Sequence, residues 1–432
     1  MRAMTRTLSD WLDHIERIHP KTIDMGLERI AEVSRRLRLK RPAKKVITVG
    51  GTNGKGSTVA FIEAIARAAG RKVGAYTSPH LLAYNERIRI DGADAADADL
   101  IAAFEAIEAA RGEVELTYFE YGTLAALWLF ERAGLDLAIL EVGLGGRLDA
   151  TNLVDADVAI ITTVDLDHQD YLGDEREAIG AEKVGIARMG KALVLGDDDP
   201  PSSVLGHAYR IGASTWRISN DFFFEMLPAS LAGDDQPQAP RWRWREVGYR
   251  QDLPMPRLAA PVQLRNAAVA IAALRALGKP VSRAAIAQGV ASAEVSGRLQ
   301  RFEREGVEVV VDVGHNPQAA RALAAWLGAN PPAGTVHAVY AALSDKDVLG
   351  VVEAIAPQVV HWHLAGLPGP RGSTVEALAT RLQGTAAVAG SRHDQVEDAL
   401  RQAHADARPG DRVLVFGSFH TAAAALEWLG RD

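Results

Sequence analysis

The chain contains no cysteine. Disulfide bridges, thiolate metal centres and cysteine nucleophiles are therefore excluded. No run approaches the roughly 18 uninterrupted apolar residues of a membrane span. Near the N-terminus, Trp11-Leu12-Asp13-His14-Ile15-Glu16-Arg17-Ile18 is amphipathic and charged, unlike the apolar core of a signal peptide. There is no excess of basic charge. The net charge of −7 supplies no overall field for nucleic acid or an anionic membrane. Internal repeats and low-complexity tracts are also missing. What is present is ordinary globular composition, 48% apolar and 24% charged, over 432 residues. That length exceeds one ordinary core and predicts two or three domains. The expectation is a cytoplasmic, monomeric protein with small-molecule partners, binding neither nucleic acid nor membrane.

The most informative stretch is Gly50-Gly51-Thr52-Asn53-Gly54-Lys55-Gly56-Ser57. It follows the apolar run Val46–Val49 and precedes the helical pattern Val59–Ile65. A strand, a glycine-rich turn and a helix N-terminus together make a phosphate cradle. Lys55 would reach the outer phosphates, and the Ser57 hydroxyl would face a magnesium ion. The pattern G-x-x-x-x-G-K-[ST] is matched from Gly50 to Lys55, after which Gly56 intervenes before Ser57.

The first half alternates strands and helices. Strands are predicted at Lys45–Val49, Lys72–Tyr76, Leu135–Glu141, Val158–Thr163 and Ala192–Leu195, with helices over Leu100–Ala110 and Tyr121–Ala133. The alternation predicts an α/β fold, a P-loop mononucleotide-binding domain on a mostly parallel sheet. The stretch Asp197–Pro261 reads as antiparallel strands and loops attached to that sheet, and Asn266–Leu277 and Ser282–Ala291 as helices. A smaller, Rossmann-like α/β unit follows. Its predicted strands are Val307–Val313, Thr335–Tyr340, Val359–Leu364, Ala386–Val388 and Arg412–Phe416, with helices at Pro317–Leu327 and Val348–Ile355. The expected domains are 1–294 and 295–432.

Several polar groups fall at predicted strand ends, where open α/β sheets place their ligands. Glu141 precedes a glycine-rich loop, Gly143–Gly146, and is placed to hold magnesium opposite the P-loop, against the alternative of a plain surface turn. Asp165, Asp167 and His168 follow another strand. His168 could ligate a metal or cap a charged loop. Ser78 and His80 leave a third strand end in a proline-stiffened loop, which could equally be a turn. Asp312 and His315 end the first strand of the second unit, and Asp312 could bind a ribose hydroxyl or cap a helix. Asn316-Pro317 has the form of a helix start. Lys183 by itself reads as a surface lysine. Arg298 and Asn266 are individually weak signals. Trp242-Arg243-Trp244-Arg245 could stack on nucleic acid bases, but reads better as a strand with one face on a core and one in water.

Taken in order, these motifs resemble the folylpolyglutamate synthase group of the Mur ligase superfamily over nearly the whole chain. The resemblance rests on Ile23–Arg29, Gly51–Thr58, Ser78–Leu81, Glu86–Arg89, Thr117–Thr123, Glu141–Asn152, Asp167-His168, Leu172-Gly173, Glu182-Lys183, Asp312–Pro317, Asp345–Asp347 and Gly417–His420. Two mild departures are Met25, where the family commonly has Leu, and Gly314, where it commonly has Ala. The resemblance implies an ATP-dependent ligase that joins L-glutamate to dihydropteroate and to reduced folates through an acyl phosphate. The alternatives are action on folates only, or another Mur-type amino-acid ligase. A cell-wall Mur ligase would carry a further domain before its P-loop, and a nucleotide switch without ligase activity would not need the metal and pterin motifs.

The same resemblance implies roles for individual residues. Thr52, Asn53, Gly54, Lys55, Gly56 and Ser57 would bind ATP, together with Asn266, Arg298, Asp312 and His315. Ser78 and Glu141 would hold one magnesium ion, with Ser57 nearby, and His168 a second. Lys183 would be carbamylated, which reverses its plain reading, and a monovalent cation is a further expectation. Asp24, Met25, Gly26, Leu27, Thr117, Tyr118, Phe119, Glu120, Leu148, Asp149 and Ala150 would line the pterin site. Lys55, Glu141, His168 and Lys183 would carry the chemistry.

Overall fold

Short apolar runs separated by helical patterns can bury both faces of a strand only in a sheet with helices on each side. The computed structural model has that architecture. It describes residues 6–19, 21, 23–228, 239–258, 260–278, 280–369 and 371–430. The chain divides into two units. The first comprises Met1–Leu166, Leu172–Arg257 and Leu264–Glu294, and the second Asp167–Tyr171, Leu258–Gln263 and Val295–Asp432.

The first unit is built on an eight-stranded sheet. Its strands are β1 (Ala43–Gly50), β2 (Val73–Tyr76), β3 (Ile88–Ile90), β4 (Ala93–Asp94), β5 (Leu135–Glu141), β6 (Val158–Ile161), β7 (Ala192–Leu195) and β8 (Ser214–Arg217). The spatial order is β4-β3-β2-β5-β1-β6-β7-β8, parallel except for the β3–β4 edge. Five of these strands match the expected runs. β8 does not: together with helix Ser202–Ile211 it continues the parallel alternation into the region expected to be antiparallel. The antiparallel part begins later and forms its own sheet, β9 (Phe222–Met226), β10 (Arg241–Glu246) and β11 (Tyr249–Pro254), in the order β11-β10-β9. Trp242 and Trp244 are fully buried, while the intervening arginine Arg243 pairs with Asp252 on the neighbouring strand. The alternation therefore serves packing: each buried aromatic contributes about 2–3 kcal/mol of apolar burial.

Local signals set several helix starts. Thr7 and Asp10 form a capping box before helix Leu8–Ile18, which buries Trp11 and Ile15 on its apolar face. Thr117 and Glu120 do the same for helix Tyr118–Ala133. Each such cap is worth about 1 kcal/mol.

The second unit carries a six-stranded sheet of β12 (Gln300–Arg304), β13 (Val307–Val311), β14 (Val336–Tyr340), β15 (His361–Ala365), β16 (Ser391–His393) and β17 (Arg412–Phe416). The order is β12-β13-β17-β14-β15-β16, and only β12 runs antiparallel. Asn316 caps helix Pro317–Ala329 with proline in its first turn, as the sequence predicts. Ala386–Val388 is not a strand. It lies in a 3₁₀ turn at Ala386–Ala389, and the edge strand follows at Ser391–His393. A three-residue apolar run is too short to separate the two by periodicity.

Four histidines gather where β14, β15 and β16 begin or run side by side. The β14–β15 register sets His337 opposite His361, with ring centroids 4.5 Å apart. His337 Nδ1 lies 3.4 Å from His363 Nε2, His363 Nδ1 lies 2.9 Å from Ser391 Oγ, and Ser391 Oγ lies 2.8 Å from His393 Nε2. His337 Nε2 also stands 3.6 Å from Asp411. His337 and His363 are buried.

Candidate active site

In the first unit the adjacent strands β2, β5, β1 and β6 are parallel, so their carboxyl ends line one sheet edge. The register pairs Val49 with Glu141, Tyr76 with Leu140 and Gly50 with Ile161. That alignment brings the P-loop, Glu141, Ser78 and Thr162 to the same edge.

The P-loop is braced from the β6 end. Thr52 N donates to the Thr163 carbonyl at 2.8 Å, and Asn53 N donates to Thr163 Oγ1 at 3.1 Å. Thr162 Oγ1 donates to the Asn53 carbonyl at 2.6 Å, and Thr52 Oγ1 bonds both the Asp165 carbonyl and the Asp165 N–H at 3.0 Å. Gly51 has φ +142°, and a Cβ there would stand 1.9 Å from Thr162 Oγ1. Gly54, at φ +86°, is the N-cap of helix Lys55–Ala68, and a Cβ there would meet Asn266 Oδ1 at 2.6 Å. Asn266 thus packs against the loop from helix Val262–Ala276. Lys55 Nζ folds back to donate to the Gly51 and Thr52 carbonyls at 2.9 and 3.1 Å.

Glu141 is 4% exposed, and its Oε2 accepts the Ser78 N–H at 3.2 Å. A Cβ on Gly56 would stand 3.8 Å from both carboxylate oxygens, whereas Ser57 is 1% exposed. Residue 56 is therefore a position that faces Glu141. Glu141 accepts the Ser78 N–H at the sheet edge that carries the phosphate loop, and carboxylate and hydroxyl oxygens are donors of the kind magnesium takes. Among the described residues no three His, Asp or Glu side chains converge as a metal cluster, so phosphate and solvent oxygens would complete the shell.

Asp149 organises the glycine loop. Its Oδ2 accepts the Gly143 and Leu144 N–H groups at 3.0 Å, and its Oδ1 accepts Thr151 N and Oγ1 at 3.0 and 2.6 Å. Burial pushes its carboxyl up, and these hydrogen bonds pull the other way. Phe119 covers the loop so closely that a Cβ on Gly143 would meet the ring at 2.7 Å. Gly146 is held against the carbonyls of Glu182 and Lys183, where a Cβ would stand 2.9 and 2.8 Å away. Lys183 is 5% exposed, so its plain reading as a surface lysine is corrected by the structure. The last turn of helix Arg176–Lys183 faces inward, which an eight-residue pattern does not announce.

A polar cluster includes Glu120, the residue after Phe119. Arg29 donates to Asp24 Oδ2 at 2.6 Å, to the Asp24 carbonyl at 2.7 Å and to Glu120 Oε2 at 3.3 Å. Partial burial works against the Asp24 charge, but Arg29, Lys21 and His19 hold its carboxyl below the usual range. Glu120 Oε1 is buried with no hydrogen-bond partner among the described residues. Arg29 was visible in the sequence only as part of a motif. Its role becomes apparent once the first helices pack on helix Tyr118–Ala133.

In the second unit the carboxyl ends of β13, β17 and β14 are neighbours. Asp312 is buried and accepts Leu299 N at 2.9 Å and Gly314 N at 2.7 Å. Burial pushes its carboxyl up, against the pull of Arg298 and of these two N–H groups. The Arg298 guanidinium lies 5.9 Å from the Phe419 ring centroid, and the His315 ring lies 6.3 Å from the same ring. His168, in the piece Asp167–Tyr171 of this unit, has a left-handed backbone with φ +52°.

Two family models match the chain: the Mur ligase middle domain over residues 49–274 and the Mur ligase glutamate ligase domain over residues 297–419. The chain belongs to the Mur ligase family. Within it, the chain is 46% identical over 420 residues to the dihydrofolate synthase/folylpolyglutamate synthase of Escherichia coli, covering 97% of this chain and 95% of that one. The fold of this Mur ligase matches E. coli FolC in complex with DHPP and ADP at TM-score 0.91, with 45% identity and 99% of each chain covered. It matches a bifunctional folylpolyglutamate synthase/dihydrofolate synthase with Mn, AMPPNP and L-glutamate bound at TM-score 0.89, with 45% identity and 98% of each chain covered. The expected α/β class, with mostly parallel sheets and a C-terminal α/β domain, is that of the family. Among the described residues no helix is long and apolar enough to cross a membrane.

Proposed function

We propose that this Mur ligase joins L-glutamate to dihydropteroate and to folates, cleaving ATP to ADP and phosphate. The observation that carries the reading is 46% identity over 97% of the chain to an enzyme named for both activities. Residues 1–294 act as the ATP-binding domain and 295–432 as the ligase domain.

The glycine loop Thr52–Ser57 and Lys55 bind the phosphates, with Asn266 against the loop and Arg298, Asp312 and His315 toward the nucleoside. Glu141 and Ser78 hold one divalent ion and His168 a second, which when bound neutralise charge on the transferring phosphoryl group. The acceptor carboxylate oxygen attacks the γ-phosphorus, and the bond to ADP breaks. Lys55 leaves its loop carbonyls to follow the charge that builds on the phosphoryl oxygens. The neutral amine of glutamate then attacks the acyl carbon. Phosphate leaves, and the amine loses its proton to solvent. Tyr118, Phe119 and the loop Leu148–Ala150 hold the pterin with Asp24–Leu27, and the unpaired Glu120 Oε1 accepts a ring N–H. The buried Lys183 is carbamylated, which exchanges a cation for carboxylate-like oxygens beside the glycine loop. A monovalent cation, a monomeric state and a cytoplasmic location complete the reading.

The test is glutamate-dependent phosphate release with each acceptor in turn. Lys55→Ala and Glu141→Gln are expected to lower turnover by at least about 10³-fold, the scale of losing a preorganised charge at a phosphoryl centre. Near-normal turnover in either variant sinks the assignment. Activity with folates but none with dihydropteroate removes the dual substrate range and keeps the ligase.

A further inference from the structure

Four donors from the second unit converge on the carboxylate of Asp167. Lys346 Nζ and His168 N reach its Oδ1 at 2.8 and 2.9 Å. Asn316 Nδ2 and His315 Nε2 reach its Oδ2 at 3.4 and 3.7 Å. The Lys346 and Asp167 side chains are 7% and 11% exposed, so each needs the other as countercharge. Asp345 is a poorer partner for Lys346. It stands 3.8 Å away and is engaged by Arg371 at 2.9 and 3.0 Å.

The same Asp167 oxygen fixes the backbone of the next residue. His168 adopts φ +52°, a conformation that an L-residue with a Cβ holds only when its surroundings impose it. Its N–H is bound to Asp167, and its carbonyl accepts Tyr171 N at 2.9 Å. Both backbone polar groups of His168 are therefore held, and one of the holding atoms is itself held by Lys346.

We propose that Lys346 is a positioning residue for His168, acting through the shared Asp167 oxygen to fix the left-handed turn that carries the imidazole. The proposal rests on the reading that His168 holds a second divalent ion. Loss of a group that orients a metal ligand typically weakens the ion about 10–100-fold while leaving the other ligands intact.

The experiment counts Mn²⁺ bound to the full-length protein with AMPPNP, by electron paramagnetic resonance of free Mn²⁺. Wild type is expected to bind two ions and His168→Ala one. Lys346→Met should weaken the second ion by at least about 10-fold and leave the first unchanged. Asp167→Asn, which conserves volume, should do the same and stands in if Lys346→Met does not fold. In the His168→Ala background neither change should weaken binding further. Asp345→Asn should bind as wild type does. Wild-type affinity in both Lys346→Met and Asp167→Asn overturns the inference, as does a loss that adds to that of His168→Ala. A raised KM for glutamate with Mn²⁺ binding unchanged also overturns it, since Lys346 would then be reading substrate. A wild type that binds one ion, or a His168→Ala that loses none, overturns the metal role of His168 itself.

Discussion

Acid should weaken the second unit through its buried histidines, and the size of the effect follows from the structure. His363 is 3% exposed, and burial, with His337 beside it, lowers its imidazole to about 4 from an ordinary 6.5, against the pull of Asp406. His337 is shifted down as well, by burial and by His361, against the pull of Asp411. A depressed folded value means that the unfolded chain takes up the proton first. Stability is therefore full above the unfolded value and is lost as pH falls toward the folded one. For His363 alone the loss is about 2 kcal/mol near pH 5 and about 3 kcal/mol near pH 4. His337 acts in the same direction.

The chain has two units, so a global melting curve does not isolate this loss. Pulsed hydrogen exchange along a urea series, read on peptides covering 336–340 and 361–365, reports the second unit by itself. His363→Gln keeps hydrogen-bonding capacity toward Ser391 and His337 but does not titrate. It should remove about 2 kcal/mol of the fall between about pH 7 and pH 5. An equal fall in variant and wild type refutes the reasoning.

Further outcomes follow from the first unit. Gly51→Ala places a methyl 1.9 Å from Thr162 Oγ1. It should cost about 3 kcal/mol at the P-loop and weaken ATP binding by about 100-fold, measurable by calorimetry; unchanged affinity contradicts the bracing by Thr162. Asp149→Asn should destabilise nearly as much as Asp149→Ala, by about 2–4 kcal/mol in thermal unfolding. Each carboxylate oxygen already accepts two hydrogen bonds, so an amide N–H₂ in either flip meets a donor. A neutral Asp149→Asn would contradict that account.

What the sequence determined by itself is what neighbours along the chain determine. The turn chemistry of Gly50–Ser57, the seven residues of β5 and the Asn316-Pro317 helix start depend on φ preferences, apolar period and caps within a few residues. The parallel alternation then places Ser78, Glu141 and the P-loop at strand ends before any coordinates are known. Strand order and register decided the rest. Only the order β2-β5-β1-β6 makes those ends adjacent, and only the β14–β15 register stacks His337 on His361. The burial of Lys183, the reach of Lys346, Asn316 and His315 to Asp167 and the facing of Gly56 onto Glu141 depend on residues far apart in the chain. No local period encodes such meetings, because their free energy comes from tertiary packing and desolvation rather than from backbone preference.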